Sequence, residues 1–381
     1  MEDPWGYDEA HAMAGSPTTL LSSAALRARF DEPAPLTVGL EEEIMVLDAA
    51  TLDLAPRGME LVGGLVEPEM PAAQVELASD PCTTVDAAIA GLAAGRRELA
   101  DRAAPLGLAL GCAGTHPFAA AEGELNRGPR YDAIEERYGS IARRQLVFAL
   151  QVHVCVRPAG RALAVYNALR GYLPELAALA ACAPFHDGRD TGLASMRPLI
   201  GTLLPRQGVP PALASWDAFA DGLRWAGDPA SWWWELRPHH VHGTLELRVP
   251  DAQPTLADAR AVAAVAHALT GWLAERLDAG ETLPVPETWR IAENRWSALR
   301  HGLAGEMADL ETGEREPTAD RVAALLDAIT PTAERLGCAA GVAAARILAG
   351  AGGGAAKLRV AADGDVRSAT AWLAARFLDG V

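Results

Sequence analysis

The sequence has little positive charge and no paired cysteines, and each shortage excludes a class of protein. Its 381 residues carry 33 Lys and Arg against 50 Asp and Glu, which gives a net charge of −17. No basic stripe is available to neutralise phosphates, so we expect no nucleic-acid partner. The five cysteines are scattered without a CxxC pair. They indicate reduced thiols rather than a disulfide framework or a zinc site.

Long apolar runs and phosphate-loop motifs are also absent from the sequence. No apolar run reaches transmembrane length, and the acidic N-terminus lacks a basic region followed by an apolar core. We therefore expect no membrane partner and a cytoplasmic location. The sequence contains no Walker A motif, and no GxGxxG that follows a strand and opens a helix. This disfavours a fold built on a phosphate-binding loop.

The composition favours one large domain after a short tail. Half of the residues are hydrophobic, so the chain can bury a sizeable core. Residues 1–34 mix Pro, Gly, Ser and acids, and predict a flexible N-terminal tail with about one helical turn. Residues 35–381 show neither an internal repeat nor a linker, and we expect a single α+β domain there. Its C-terminal portion, from Thr318 onward, predicts three helical stretches.

The stretch Leu36–Asp48, LTVGLEEEIMVLD, has the composition of a strand with three acids in its middle. Alternation turns Glu41 and Glu43 to one face and Glu42 to the other. Carboxylates in an apolar strand are costly unless they are paired or bind a metal. Glu41 and Glu43 could begin an Mg²⁺ or Mn²⁺ site. The alternative is an edge strand whose charges prevent aggregation.

Three further segments have one apolar face and one face with Glu, Gln, His or Arg. They are the strands of Gln74 and Glu76, of Gln151 and His153, and of Thr244, Glu246 and Arg248. The last is the return strand of a predicted hairpin whose other strand carries Arg237. In one antiparallel sheet, four Glu, a His and an Arg would converge on a surface that suits two or three divalent cations and a polyphosphate. Arg248 and Arg237 could stabilise a transferring phosphoryl group.

The histidines also allow interpretations that involve no metal ion. His153 taken alone is more often a satisfied core histidine than a ligand. The turn HHVHG holds His239, His240 and His242, whose spacing fits no standard zinc motif, so we interpret them as turn residues.

Seven motifs in order resemble the YbdK-type carboxylate–amine ligases, also called glutamate–cysteine ligase type 2. They are GLEEE (39–43), QVELASDPC (74–82), GTHPF (114–118), QVHV (151–154), DTGLASMRP (190–198), ELRP…GTLELRVPD (235–251) and ENRWSALRHGL (293–303). The resemblance implies a glutamine-synthetase-like fold, in which a curved antiparallel sheet forms a funnel backed by helices. It also implies ATP, two or three Mg²⁺ or Mn²⁺ ions, and amide formation through an acyl phosphate.

The resemblance further assigns residues to roles. It implies metal ligands at Glu41, Glu43, Glu69, Glu76, His153 and Glu246. It places Arg237 and Arg248 against phosphate, as catalytic residues. It implies substrate or nucleotide contacts for Gln74, Gln151, Arg197, Asn294 and Arg295. Glu42, on the opposite face of its strand, is expected to be structural or ion-paired.

We therefore expect an ATP-dependent ligase, which joins the γ-carboxyl of glutamate or a similar carboxylate to an amine such as cysteine. Three alternatives stay open at this point. The amine could belong to secondary metabolism, the chain could be a phosphotransferase resembling guanidino kinases, or it could bind nucleotide without turnover. The resemblance also suggests a homodimer or a larger homo-oligomer.

Overall fold

A seven-stranded antiparallel sheet forms the centre of the molecule, in a computed structural model that describes residues 21–227 and 231–381. The strands, including two short separate hairpins, are β1 (Val38–Asp48), β2 (Val66–Pro68), β3 (Gln74–Ala78), β4 (Leu108–Gly111), β5 (Leu150–Cys155), β6 (Phe185–His186), β7 (Arg189–Asp190), β8 (Leu236–His239), β9 (Thr244–Leu247), β10 (Glu306–Ala308) and β11 (Arg315–Pro317). The main sheet has the order β2-β3-β1-β5-β9-β8, and β4 also pairs with β1. The open antiparallel sheet agrees with the predicted α+β class.

Fourteen α-helices surround the sheet within the described residues. They are α1 (Ser23–Asp31), α2 (Val85–Ala103), α3 (Pro129–Tyr138), α4 (Ser140–Arg143), α5 (Ala159–Leu169), α6 (Leu173–Ala180), α7 (Arg197–Gly201), α8 (Trp216–Ala226), α9 (Leu256–Asp278), α10 (Thr288–His301), α11 (Thr318–Arg335), α12 (Ala339–Gly350), α13 (Gly353–Ala362) and α14 (Val366–Arg376).

Strand β1 is the element against which the other parts of the sheet are aligned. Its first half pairs with β5, its middle with β3, and its end with β4. Every residue from Val38 to Leu47 is buried. The helix Val85–Ala103 packs against one face of β1, and the other face carries Glu41 and Glu43.

Helices α2 and α9 cover the apolar side of this sheet. The side chain of Thr84 caps α2 by accepting a hydrogen bond from the Ala87 amide, as a threonine at a helix start commonly does. Thr255 caps α9 in the same way, through the Asp258 amide. The alanine-rich face of α9 is buried along nearly the whole helix. Small alanine side chains allow α9 to approach its neighbours closely.

The structure corrects two predictions made from the sequence, one near each end of the chain. Within the predicted tail, α1 occupies residues 23–31, and its Leu26 and Phe30 are fully buried. Phe30 packs against Trp216, with ring centroids 4.8 Å apart. The tail prediction is therefore wrong for α1, while residues 1–20 lie outside the described residues. The C-terminal portion has four helices, α11 to α14, instead of the predicted three.

A continuous hydrophobic cluster runs through the described residues, from Leu26 to Phe377. It joins the helical C-terminal portion to the sheet. No single helix in the described parts of the chain is long and apolar enough to cross a membrane; only α12 and α13 taken together, with a 51° bend between them, reach the required length and composition.

Candidate functional site

The register of the sheet places three carboxylates side by side on its inner face. Glu43 of β1 lies opposite Glu76 of β3, and Glu76 lies opposite Glu67 of β2. Glu43 and Glu76 are buried, whereas Glu67 is half-buried. Directly opposite side chains in a sheet are close enough to interact strongly. This row is therefore a strongly negative strip across three strands.

Like charges keep protons on this row. Burial, followed by the negative charge of Glu69, raises the pKa of Glu43 to about 7. Burial and the neighbouring carboxylates, with Glu41 first among them, raise the pKa of Glu76 well above its usual range. A cation or a proton must neutralise such a group, because isolated buried carboxylates are costly.

A second row crosses the other half of the sheet. His153 of β5 lies opposite Glu246 of β9, and Glu246 lies opposite Arg237 of β8. Glu41 of β1 reaches this row, since its Oε1 atom lies 3.1 Å from Nε2 of His153. One ligand atom each from Glu41, His153 and Glu246 fit within 4.8 Å of one another, and all three residues are buried.

The second nitrogen of His153 fixes the orientation of its ring. Nδ1 lies 2.9 Å from the Thr244 hydroxyl, on the side of the ring away from Nε2 and Glu41. Burial would lower the pKa of His153, but the charge and the hydrogen bond of Glu41, together with the charge of Glu246, outweigh burial and raise the pKa. Burial likewise would raise the pKa of Glu41, and the His153 imidazolium lowers it instead.

Two arginines hold Glu246 from opposite sides. Nε of Arg237 donates to its Oε2 at 2.5 Å, and Arg248 donates to its Oε1. Burial would raise the pKa of Glu246, yet these two guanidinium groups hold it well below its usual range. Arg248 also donates to Gln151 Oε1, and the Gln151 amide donates to Glu43 at 3.0 Å. Gln151 therefore links the two rows.

Glu69 and Gln74 complete the carboxylate side of the site. The Glu69 carboxylate accepts a hydrogen bond from the Met70 amide, and the side chain of Asn126 holds the Glu69 carbonyl at 2.6 Å. Gln74 is buried beside Glu76, and its Oε1 atom accepts no hydrogen bond from any described residue. An unused buried acceptor is rare, because it costs free energy. It is therefore available to a ligand.

The histidine turn lies over the His153 end of the site, which its sequence spacing did not indicate. The rings of His239 and His242 stack at 4.1 Å with planes only 6° apart. Both meet the His153 ring edge-on, at centroid distances of 5.5 and 5.6 Å. Burial, and then the charge of His153, lowers the pKa of His242 to about 4. Burial and Arg237 lower the pKa of His240 to about 4.

Arg197 anchors the loop that precedes it to the end of the hairpin. Its guanidinium donates to Asp251 at 2.8 Å and to the carbonyls of Arg248, Val249 and Pro250. Asp251 also accepts hydrogen bonds from Ser195 and the Cys182 amide. This set fixes the chain beside Arg248. Contact of Arg197 with a substrate remains a prediction.

Asn294 and Arg295 of α10 are likewise held by protein groups. The Asn294 amide donates to the carbonyl of Ala308 and accepts from its N–H, at 2.7 and 2.8 Å. Nε of Arg295 donates to both oxygens of Glu235, directly before β8. In this arrangement the Asn294 side chain secures β10. The substrate or nucleotide contacts predicted for both residues remain predictions.

Sequence reasoning did not single out Glu67. The signal was present, since Glu67 and Glu69 lie two residues apart and repeat the alternation of Glu41 and Glu43. Only the pairing of β2 with β3 shows that Glu67 lies opposite Glu76.

Comparison with known families gives an independent measure of likeness. A model of the glutamate–cysteine ligase family 2 matches residues 37–371. A Thermobifida fusca protein named "Putative glutamate--cysteine ligase 2" is 36% identical over 321 residues, which cover 80% of each chain. A similarly named protein of Rubrobacter xylanophilus is 36% identical over 334 residues, 83% of this chain and 89% of its own.

Solved structures resemble the fold at low sequence identity. A glutamate–cysteine ligase from Francisella tularensis, crystallised in complex with AMP, superposes with a TM-score of 0.67 at 12% identity. The match covers 92% of this chain and 89% of that one. A bifunctional glutathione synthetase from Pasteurella multocida gives a TM-score of 0.58 at 16% identity, over 94% of this chain and 52% of its own. These matches confirm the predicted α+β fold class and show that the chain shares the fold of these ligases.

Proposed function

Because the chain belongs to the glutamate–cysteine ligase family 2, we propose that it is an ATP-dependent carboxylate–amine ligase. It forms an amide of the γ-glutamyl type through an acyl phosphate and releases ADP and phosphate. The observation that carries this proposal is the convergence of Glu41, His153 and Glu246 with the carboxylate row of Glu43 and Glu76 on one buried face.

The donor set fits divalent cations. Buried carboxylates with raised pKa values, arranged across adjacent strands, are stabilised when a cation replaces their protons. Glu43, Glu69 and Glu76 would hold Mg²⁺ or Mn²⁺ by oxygen, and Glu41, His153 and Glu246 would hold a further ion. When bound, these ions neutralise the phosphate oxygens of ATP. ATP as the nucleotide is supported by the AMP in complex with the structurally related ligase of Francisella tularensis.

Arg237 and Arg248 supply fixed positive charge for the phosphoryl group. Both guanidinium groups are oriented by Glu246 before any substrate binds, so little reorganisation is needed at the moment of reaction. Gln151 connects Arg248 to Glu43, because it accepts a hydrogen bond from Arg248 and donates one to Glu43. The transferring phosphoryl group carries spread negative charge, and positioned guanidinium groups stabilise such charge.

A carboxylate does not react with an amine at neutral pH, because its leaving group is poor. Transfer of the γ-phosphoryl group to the carboxylate creates an acyl phosphate, and attack by the amine then expels phosphate. Gln74, whose Oε1 accepts no hydrogen bond from the described residues, would accept one from the substrate. The names of the relatives support glutamate as the carboxylate and cysteine as an amine to test first.

The test is an incubation of the full chain with ATP, Mg²⁺ and L-glutamate, with and without each member of an amine panel that includes cysteine. ADP, free phosphate and product mass are followed together. We expect amine-dependent phosphate release, with an amide product in equal amount. A phosphorylated acceptor without free phosphate would establish a phosphotransferase and overturn the proposal, and so would nucleotide binding without turnover on any carboxylate and amine.

A further inference from the structure

The segment that carries Glu67 and Glu69 is held from outside the main sheet as well as by it. Among the described strands, β2 pairs only with β3, and it forms one end of the main sheet. The Tyr131 hydroxyl donates to the carbonyl of Pro68 at 3.2 Å, and the Asn126 side chain donates to the carbonyl of Glu69 at 2.6 Å. Two buried side chains, one from α3 and one from the loop before it, therefore fix the backbone that carries these carboxylates.

We propose that Tyr131 and Asn126 are positioning residues for the Mg²⁺ site, and that their hydrogen bonds to backbone carbonyls set its affinity for the cation. The inference rests on the proposed function, in which Glu69 is a ligand together with Glu43 and Glu76. It adds to that site two residues that lie outside the sheet. They act through the backbone and not as ligands, because their hydrogen bonds end on carbonyl oxygens.

Repulsion between carboxylates explains why this segment needs support from outside the sheet. Glu67 lies opposite Glu76, and Glu69 follows two residues later. Like charges placed directly opposite each other destabilise a strand pair. β2 has only three residues, so few hydrogen bonds to β3 oppose the repulsion. The bonds from Tyr131 and Asn126 add to them without occupying a carboxylate oxygen that a cation could use.

Helix α3 is itself fixed at its far end, which makes Tyr131 a firm support. Tyr138 follows Tyr131 by seven residues, about two helical turns, and so lies on the same face of α3. Its ring packs against that of Trp233, with centroids 5.5 Å apart. Trp233 precedes β8, the strand at the other end of the main sheet. The helix therefore connects the two ends of the sheet, and holds β2 relative to β8.

The experiment measures Mg²⁺ binding to the full chain by calorimetry and compares Tyr131→Phe with the unaltered protein. Phenylalanine keeps the ring and removes only the hydroxyl. We expect the Mg²⁺ affinity to fall by about tenfold, at the lower end of the loss seen when a partner that orients metal ligands is removed. The Mg²⁺ concentration for half-maximal turnover should rise by the same factor, while kcat at saturating Mg²⁺ stays close to that of the unaltered protein.

Tyr138→Phe is the matched control, because it removes the other tyrosine hydroxyl on this face of α3. That hydroxyl accepts a hydrogen bond from Arg206, away from β2, and the variant should bind Mg²⁺ as the unaltered chain does. Asn126→Ala removes the donor to the Glu69 carbonyl and should lower the Mg²⁺ affinity in the same direction as Tyr131→Phe. It carries the test if Tyr131→Phe does not fold.

Separate outcomes test the inference and the proposed function. A merely structural role would lower the Tm in the presence of a chelator and leave the Mg²⁺ affinity of the folded variants unchanged. Unchanged affinity in Tyr131→Phe and Asn126→Ala would therefore overturn the inference, while Mg²⁺ binding and turnover by the unaltered chain would leave the proposed function in place. If the unaltered chain binds no Mg²⁺, the cation site of the proposed function fails, and the inference fails with it.

Discussion

Glu42 and Arg96 form an ion pair in which both side chains are fully buried. Arg96 donates to the two carboxylate oxygens at 2.8 and 2.5 Å, and its remaining N–H groups donate to backbone carbonyls that include that of Phe377. The pair lies on the helix-covered side of β1, opposite Glu41 and Glu43. The acidic triplet is therefore one inward pair divided by an outward structural residue, as the alternation of the strand predicted.

Replacing Arg96 by Met should destabilise the fold strongly. Glu42 would be left buried without a cation, and breaking a buried pair in this way costs about 3–5 kcal/mol. Urea unfolding followed by circular dichroism measures the loss. Arg97→Met is the matched control, since Arg97 is the next residue of α2 and is exposed.

The double variant Glu42→Met, Arg96→Met separates charge from packing. With both charges gone, we expect it to recover most of the lost free energy of unfolding. Equal stability of Arg96→Met and the Arg97→Met control would show that the pair does not support the strand.

Glu43→Gln should abolish turnover and leave the protein folded. Glutamine has nearly the same shape as glutamate, and its one carbonyl oxygen keeps the hydrogen bond from either Ala149 or Gln151, which bond to different oxygens of Glu43. It lacks the charge that a divalent cation needs. Steady-state ADP formation and a far-ultraviolet spectrum test the two halves of this prediction. Near-normal activity would remove Glu43 from the metal ligands; Glu136→Gln, on the exposed face of α3, is the control.

The metal-free protein should lose stability as the pH rises from about 5 to 7.5. The native state keeps a proton on Glu43 until its pKa of about 7, whereas the unfolded chain releases it near its ordinary pKa of 4.5. The native state thus binds more protons in this interval, and its stability falls with rising pH. The shift corresponds to roughly 3 kcal/mol.

Comparison with Glu43→Gln isolates this contribution. In the presence of a chelator, the stability of the unaltered chain should fall relative to that of Glu43→Gln as the pH rises across the same interval, because glutamine does not titrate. Added Mg²⁺ should shrink the difference by stabilising the unaltered chain, because the cation replaces the proton. Parallel pH profiles for the two proteins would show that Glu43 titrates normally.

Asn294→Ala should act through stability more than through substrate affinity. The side chain makes a pair of hydrogen bonds with Ala308, and leaving the backbone groups of β10 unsatisfied costs about 1–3 kcal/mol. The KM for ATP should remain within about twofold, since this contact does not involve the carboxylate rows. A large rise in KM at unchanged stability would instead place Asn294 against the nucleotide.

The local pattern of the sequence was enough to divide the β1 acids between two faces and to place His153 and Glu246 on strands. It could not identify Arg96 as the partner of Glu42, because 54 residues separate them and only the docking of α2 on β1 brings them together. The register that aligns Glu67 with Glu76 is likewise a tertiary property.

The position of the histidine turn and the burial of α1 also depend on contacts between residues far apart in the chain. The spacing of His239, His240 and His242 along the chain gave no sign of this position, because His242 approaches His153 across the pairing of β5 with β9. The composition of α1 resembles a tail because its mean character is polar, and its two buried anchors, Leu26 and Phe30, need a surface elsewhere in the fold. Long-range contacts of this kind leave no periodic signal.

The most direct test of the account follows oxygen from the carboxylate into phosphate. The carboxylate substrate that supports turnover, beginning with glutamate, is labelled with ¹⁸O at the reacting carboxyl group, and the released phosphate is weighed by mass spectrometry. Activation as an acyl phosphate transfers one ¹⁸O atom to each phosphate formed together with amide. Phosphate that carries no label while amide accumulates would contradict the proposed chemistry at this sheet.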